Sequence, residues 1–230
     1  MASSQFKPVK YVIFDMDGLL LNTEKIYFDT FKKVLSRYGK TYTEDMRVKV
    51  MGTVPRDTYS IFIKEYELPV ELDNFYKEIS SELIQVMDKA DLMPGVERLL
   101  NHLKSNNIPI AVGTSSSQEA FDVKTKNHAE IFKLFHHIVV GSSDPEVKQG
   151  KPAPDVFLVC ASRFPEKPAP SECLVFEDAP NGVQAAISAG MQCVMVPDSV
   201  VPEEKRKLAT RVIDSLLDFK PEEFGLPKFS

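Results

Sequence analysis

The chain has 230 residues, 43% of them hydrophobic, and a formal net charge of −5. That is enough for one large domain, or one domain with an insert, and it excludes wholesale disorder. The acidic balance and the absence of a basic run argue against nucleic acid as a partner, and no stretch is long and apolar enough for a membrane span.

No signal-type apolar region precedes Lys10, so a soluble, cytoplasmic protein is expected, a monomer or weak homodimer. Cys160, Cys173 and Cys193 are widely spaced among apolar neighbours, which suits buried reduced thiols rather than disulfides or a zinc site.

The first apolar run, Tyr11–Phe14, reads as a strand and ends in Asp15-Met16-Asp17-Gly18-Leu19. Each carboxylate there needs water, a cation or a hydrogen-bond donor, and a strand core offers none of them. Gly18 lets the backbone turn sharply and approach a ligand. From about Thr23 to Asp91 the apolar spacing is helical, with Ile26, Tyr27, Phe31, Val34 and Leu35 on one face. Breaks are expected at residues 36–43, where Gly39 suits a C-cap, and at 51–55. Residues 59–66 and 75–87 read as further helices. Phe28, Phe31, Tyr59, Phe62 and Tyr66 suit the core of this helical insert.

Pro94 suits the first turn of a helix carrying Val96, Leu99, Leu100 and Leu103 on one face. Residues 108–113 form a short strand ending in Thr114-Ser115-Ser116-Ser117, a run that also suits an N-cap. A helix over 120–134, a strand at His137–Val140 and a helix over 156–162 opened by Lys151-Pro152-Ala153-Pro154-Asp155 follow. The strand 173–176 ends in Glu177-Asp178; a helix over 180–189, closed by Gly190, leads to the strand 192–196.

Apolar strands alternating with helices indicate an α/β fold with a parallel sheet covered on both faces. Ligands bind such sheets outside the carboxyl ends of the strands. Asp15 and Asp17, Thr114 and Ser115, and Glu177 and Asp178 each follow an apolar strand, so they belong on one sheet edge. Four carboxylates cannot all ionise there without a cation, and an oxygen-only donor set suits Mg²⁺. The spacing of His128, His136 and His137 suits no metal site. A hydroxyl turn with an ammonium, Lys151, suits a phosphoryl group. An aspartate can attack phosphorus, and a second carboxyl can carry the proton.

Asp15-Met16-Asp17-Gly18, the run into Thr114-Ser115, Gly150-Lys151-Pro152 and Phe176-Glu177-Asp178-Ala179-Pro180-Asn181-Gly182 resemble, in order and spacing, the four motifs of the haloacid dehalogenase superfamily. The resemblance implies a Rossmann-like parallel-sheet core from residues 1–20 and 92–230, with a helical cap inserted at 21–91. It implies a Mg²⁺-dependent phosphomonoester hydrolase. Asp15 resembles the nucleophile and a metal ligand. Asp17 resembles the general acid/base, with its backbone carbonyl on the metal. Thr114, Ser115 and Lys151 resemble the phosphate-binding groups, with Gly18 beside them. Glu177 and Asp178 resemble the remaining metal support. Where such a cap meets the core, Glu24, Met51, Gly52, Thr53 and Arg56 are the expected specificity residues. Asn22 stands where many relatives carry Asp. Likeness continuing through residues 92–95, 142–155 and 219–227 implies a small phosphorylated metabolite of nucleotide type as partner. A phosphosugar mutase, a phosphatase of sugar or glycerol phosphates, and a non-catalytic phosphoacceptor module share parts of this pattern. Asp17 and the long helical insert oppose the last.

Overall fold

Every residue of the central strands is buried, because helices cover both faces of one six-stranded sheet. The structure is a computed structural model that describes residues 5–50 and 55–229. After β1 (Tyr11–Phe14) come four helices: α1 (Thr23–Arg37), α2 (Glu44–Val50), α3 (Pro55–Tyr66) and α4 (Leu72–Ile84). The chain continues with α5 (Val96–Ser105), β2 (Ile110–Thr114), α6 (Gln118–Thr125), α7 (Ala129–Phe132) and β3 (His137–Val140). Then follow α8 (Asp155–Arg163), β4 (Cys173–Glu177), α9 (Pro180–Ser188), β5 (Gln192–Met195), α10 (Glu203–Arg206) and β6 (Arg211–Val212).

All the strands run parallel, in the order β3-β2-β1-β4-β5-β6. This is the expected α/β architecture. Side-chain alternation sorts the sheet into two cores. Val12, Phe14, Leu174 and Phe176 face one cluster, with Leu99 and Leu103 of α5; Tyr11, Ile13 and Val175 face the other, with Phe157 of α8. The order reverses direction at β1, whose neighbours β2 and β4 lead off to opposite edges. A crevice opens at such a switch point. The register pairs Phe14 with both Val112 and Phe176, so β1, β2 and β4 end within two residues of one another.

Helices α1–α4 bury a third cluster of their own around Phe31, Phe62, Phe75 and Ile79. The segments leading to and from them run side by side: Asn22 N–H donates to the Asp91 carbonyl at 2.8 Å, and Met93 N–H to that of Leu20 at 2.9 Å.

Several local expectations shift. The helix expected over 120–134 is α6 and α7, separated at 126–128, where Asn127 Nδ2 donates to the Asp88 carbonyl and His128 Nε2 meets that of Ala90, both at 2.6 Å. Those contacts tie the break to the segment returning from α4. Pro94 precedes α5 rather than opening it, because Gly95, at φ +92°, is the N-cap. Helix α4 begins and ends about a turn earlier than expected, and α2 and the two-residue β6 were not foreseen. The three cysteines are buried free thiols, as expected. Among the described residues no helix is long and apolar enough to cross a membrane.

Phe176 is fully buried, stacked on Phe14 at 5.0 Å between ring centroids and edge-on to Phe219 at 4.8 Å. Phe176→Ala should cost about 3–5 kcal/mol in urea unfolding at an unchanged m-value. A loss under about 1 kcal/mol would mean that this face of the sheet is not close-packed.

Candidate active site

Lys151 reaches the sheet edge from the loop before α8. Asp155 steadies that loop, its Oδ2 accepting the Lys148 and Gln149 N–H groups at 2.9 and 3.0 Å. The buried Lys151 ammonium donates to Asp15 Oδ1 at 2.5 Å, Glu177 Oε1 at 2.6 Å and the Gly113 carbonyl at 3.1 Å. Three donors meet three acceptors on the ends of three neighbouring strands. Burial works against this ammonium, but Asp15 and Glu177 hold its pKa well above the ordinary lysine range.

One cation does not balance the corner. Asp15, Glu177 and Asp178 each offer a carboxylate oxygen, all within 4.8 Å of one another. Burial raises the Asp15 carboxyl, Lys151 pulls it back, and Glu177 and Asp17 raise it again, leaving it at about 7. Burial, then Glu177 and Asp15, push Asp178 well above the usual carboxylate range. Such a cluster calls for further positive charge, and its hard, all-oxygen donors fit Mg²⁺ rather than zinc. Its shape is set by the start of α9. Glu177 Oε2 accepts the Asp178 and Ala179 N–H groups at 3.0 and 3.1 Å, amides that favour an anion at a helix N-terminus. A Cβ on Gly182 would overlap the Glu177 carboxylate.

Gly18 sits at φ +78°, where a glycine is favoured. Its N–H donates to the Leu21 carbonyl at 2.9 Å and to Thr23 Oγ1 at 3.1 Å, and a Cβ there would collide with Asp178.

Asp17 has a separate cation. Lys124, almost wholly buried on α6, donates to Asp17 Oδ1 at 2.7 Å and to Ser116 Oγ at 2.9 Å; Ser116 Oγ donates to Asp17 Oδ2 at 2.8 Å. Burial raises the Asp17 carboxyl, yet Lys124, with hydrogen bonds from Ser116 and Thr23, holds it below the usual range. Thr114 is buried, its Oγ1 accepting the Ser116 N–H at 3.1 Å, while the Ser115 side chain is exposed.

A cavity of about 250 Å³ lies between helices α1–α3 and this corner. Tyr27, Phe28, Tyr42 and Tyr59 wall it on the helical side; Asp178 and Asp198 face it from the sheet. Glu24 lines it. Arg56 does not: it is exposed on the first turn of α3 and bonds Asp73 at 3.0 Å. Met51, Gly52 and Thr53 lie outside the described residues. Among the described residues, the cation that does line the cavity is Arg47 of α2, in an ion pair with Asp198 beyond β5.

The family profile described as haloacid dehalogenase-like hydrolase matches residues 12–196. The chain belongs to that family. It is 49% identical over 230 residues, all of both chains, to a "Probable pseudouridine-5'-phosphatase" of Drosophila melanogaster. It is 48% identical over 224 residues to "(DL)-glycerol-3-phosphatase 1, mitochondrial" of Arabidopsis thaliana, covering 96% of this chain and 75% of that one. A solved β-phosphoglucomutase from Clostridium difficile superposes with a TM-score of 0.72 at 26% identity, covering 94% of this chain and 97% of that one. The expected family and the expected phosphatase class are borne out.

The haloacid dehalogenase motifs led to Asp15, Asp17, Lys151, Glu177 and Asp178, which the fold brings to one corner. They did not lead to Lys124, Ser116, Thr23, Arg47 or Asp198. One signal for Lys124 was available: it follows Ala120 by four residues and Phe121 by three, a lone charge on an apolar helix face.

Lys124→Met leaves burial of Asp17 without its countercharge. In metal-free protein, the pH titration of the Asp17 ¹³Cγ signal should therefore move from below the ordinary aspartate value of about 3.9 to above it. An unmoved titration would show that Lys124 does not set this carboxyl.

Proposed function

We propose that the chain hydrolyses small phosphomonoesters through a phosphorylated Asp15, with Mg²⁺ as cofactor. The observation that carries this reading is the Lys151 ammonium, bonded at once to Asp15 and Glu177 in a carboxylate corner that needs more positive charge than it supplies. The side chains of Asp15, Glu177 and Asp178, with the backbone carbonyl of Asp17, would hold the ion. When bound, it withdraws charge from the phosphoryl oxygens and lets an anionic carboxylate approach them.

In the first step an Asp15 oxygen bonds to phosphorus as the bond to the leaving oxygen breaks, and Asp17 gives that oxygen its proton. In the second, water attacks phosphorus, Asp17 takes the water's proton, and the Asp15–phosphorus bond breaks to release phosphate. Thr114, the Ser115 N–H and Lys151 neutralise the phosphoryl oxygens throughout, and Gly18 lets the backbone close on them. Asp17, ionised against Lys124 and Ser116, is arranged for the second step. The negative charge of an arriving phosphate favours the protonated form that the first step needs.

Residues 21–91 serve as a cap over the core of 1–20 and 92–230, excluding water from the first step and presenting the aromatic wall to the leaving group. Pseudouridine 5′-phosphate is the leading substrate, supported by the Drosophila relative and by Tyr27, Phe28 and Tyr42 around the cavity. Glycerol 3-phosphate is the second reading, supported by the Arabidopsis relative.

Phosphate release with Mg²⁺ should give a higher kcat/KM for pseudouridine 5′-phosphate than for glycerol 3-phosphate; the reverse order would make the glycerol ester the substrate. Asp15→Asn should fall below about one hundredth of the wild-type rate with an unchanged circular dichroism spectrum. A larger residual rate would rule out the covalent route. Mg²⁺ should also raise the melting temperature of the metal-free protein, as any ligand of the native state does, and Gly182→Ala should abolish that rise by displacing Glu177. Full stabilisation of the variant would place the ion elsewhere.

A further inference from the structure

The cavity beside the carboxylate corner carries an unbalanced charge. Among the described residues, Glu24, Asp178 and Asp198 line it, against a single guanidinium, that of Arg47. Even with Asp178 given to the metal, two carboxylates face one cation. That cation is already engaged. Arg47 Nη2 bonds Asp198 Oδ2, Nη1 lies 3.7 Å from Glu44 Oε2, and the guanidinium carbon sits 5.7 Å from the centre of the Phe28 ring. Asp198 is itself fixed, since its Oδ1 accepts the Val200 N–H at 3.1 Å. Lys124 is bonded to Asp17 and Lys151 to Asp15 and Glu177, Arg206 donates to the Ser199 and Val201 carbonyls, and Arg56 pairs with Asp73 at the surface; none of the four lines the cavity. The stretch 51–54 reads Met-Gly-Thr-Val and has no ionisable side chain to add.

We propose that this cavity selects a neutral leaving group and refuses a second phosphate, and that Asp198 enforces the refusal by neutralising Arg47. The proposal rests on the phosphatase reading and deepens it. An enzyme that moves a phosphoryl group between two hydroxyls of one molecule through an enzyme-bound phosphate must hold a bisphosphate intermediate. That requires a free cation where the leaving group lies. Here the cation is present but is closed off by a carboxylate from the sheet, so the phosphoryl group goes to water and the leaving group departs uncharged. Specificity of this kind is achieved by repulsion of the wrong ligand as much as by attraction of the right one.

The test uses glycerol 3-phosphate and 1,3-bisphosphoglycerol, two primary phosphate esters differing by one phosphate, as competitors of p-nitrophenyl phosphate hydrolysis by the Mg²⁺-loaded enzyme. For the wild type the monophosphate should have the lower inhibition constant. Asp198→Asn, whose amide oxygen can still accept the Val200 N–H, should shift the ratio of the two constants about tenfold or more toward the bisphosphate, because it frees Arg47. Arg47→Met should shift it the other way. Opposite shifts from the two partners of one ion pair are not what general damage to the cavity produces. Tighter wild-type binding of the bisphosphate, or an unchanged ratio in both variants, would overturn the proposal. A wild type that leaves p-nitrophenyl phosphate intact would overturn the phosphatase reading, and the proposal with it.

Discussion

The constraint on which this molecule turns is an excess of buried carboxylates over cations at one edge of one sheet. Two unit charges 4 Å apart interact by about 4 kcal/mol at an effective dielectric constant of about 20. Asp15, Glu177 and Asp178 are brought together on that scale by strand register, since Phe14 pairs with Phe176 and the residue after each is an acid. The fold answers with the three-way bond of Lys151, with amides at the start of α9, and with a glycine at position 182 that makes room for Glu177. The charge that these leave unanswered is the reason we propose a divalent cation there.

Two lysines divide the acids into two groups. Lys151 holds Asp15 and Glu177, while Lys124 and Ser116 hold Asp17 apart from them. Asp15 and Asp17 are two residues apart in the chain, yet their carboxyls shift in opposite directions because their surroundings differ. Divergence of neighbouring titratable groups is how one site provides both a nucleophile and a proton carrier. On the far side of the cavity a similar pairing recurs: Arg47 is matched to Asp198, and the rest of the wall is aromatic and net acidic.

Much of this was legible from local sequence. Apolar runs that lead straight into Asp, Thr or Glu-Asp can be read without a structure, because burial and parallel pairing explain both halves of the pattern. The partners of those residues were less legible. Lys124 lies 107 positions from Asp17, and Asp198 lies 151 from Arg47, so no local spacing connects them. Arg56 was the more visible arginine of the helical insert, but its place on the first turn of α3 turns it outward to Asp73, while α2, unread as a helix, carries Arg47 to the cavity. The break between α6 and α7 was hidden for a similar reason: the groups that fix it, the carbonyls of Asp88 and Ala90, belong to a distant segment.

Asp15 as the group that takes up phosphorus is the central claim, and chemical trapping during turnover tests it most directly. Borohydride added to enzyme, Mg²⁺ and a saturating phosphomonoester reduces an acyl phosphate to the alcohol, which converts a phosphorylated aspartate into homoserine. Mass spectrometry of the peptide containing Tyr11–Phe14 and the residues that follow should find homoserine at position 15 and intact aspartate at position 17. Homoserine at position 17, or none at either while phosphate is still being released, would contradict it.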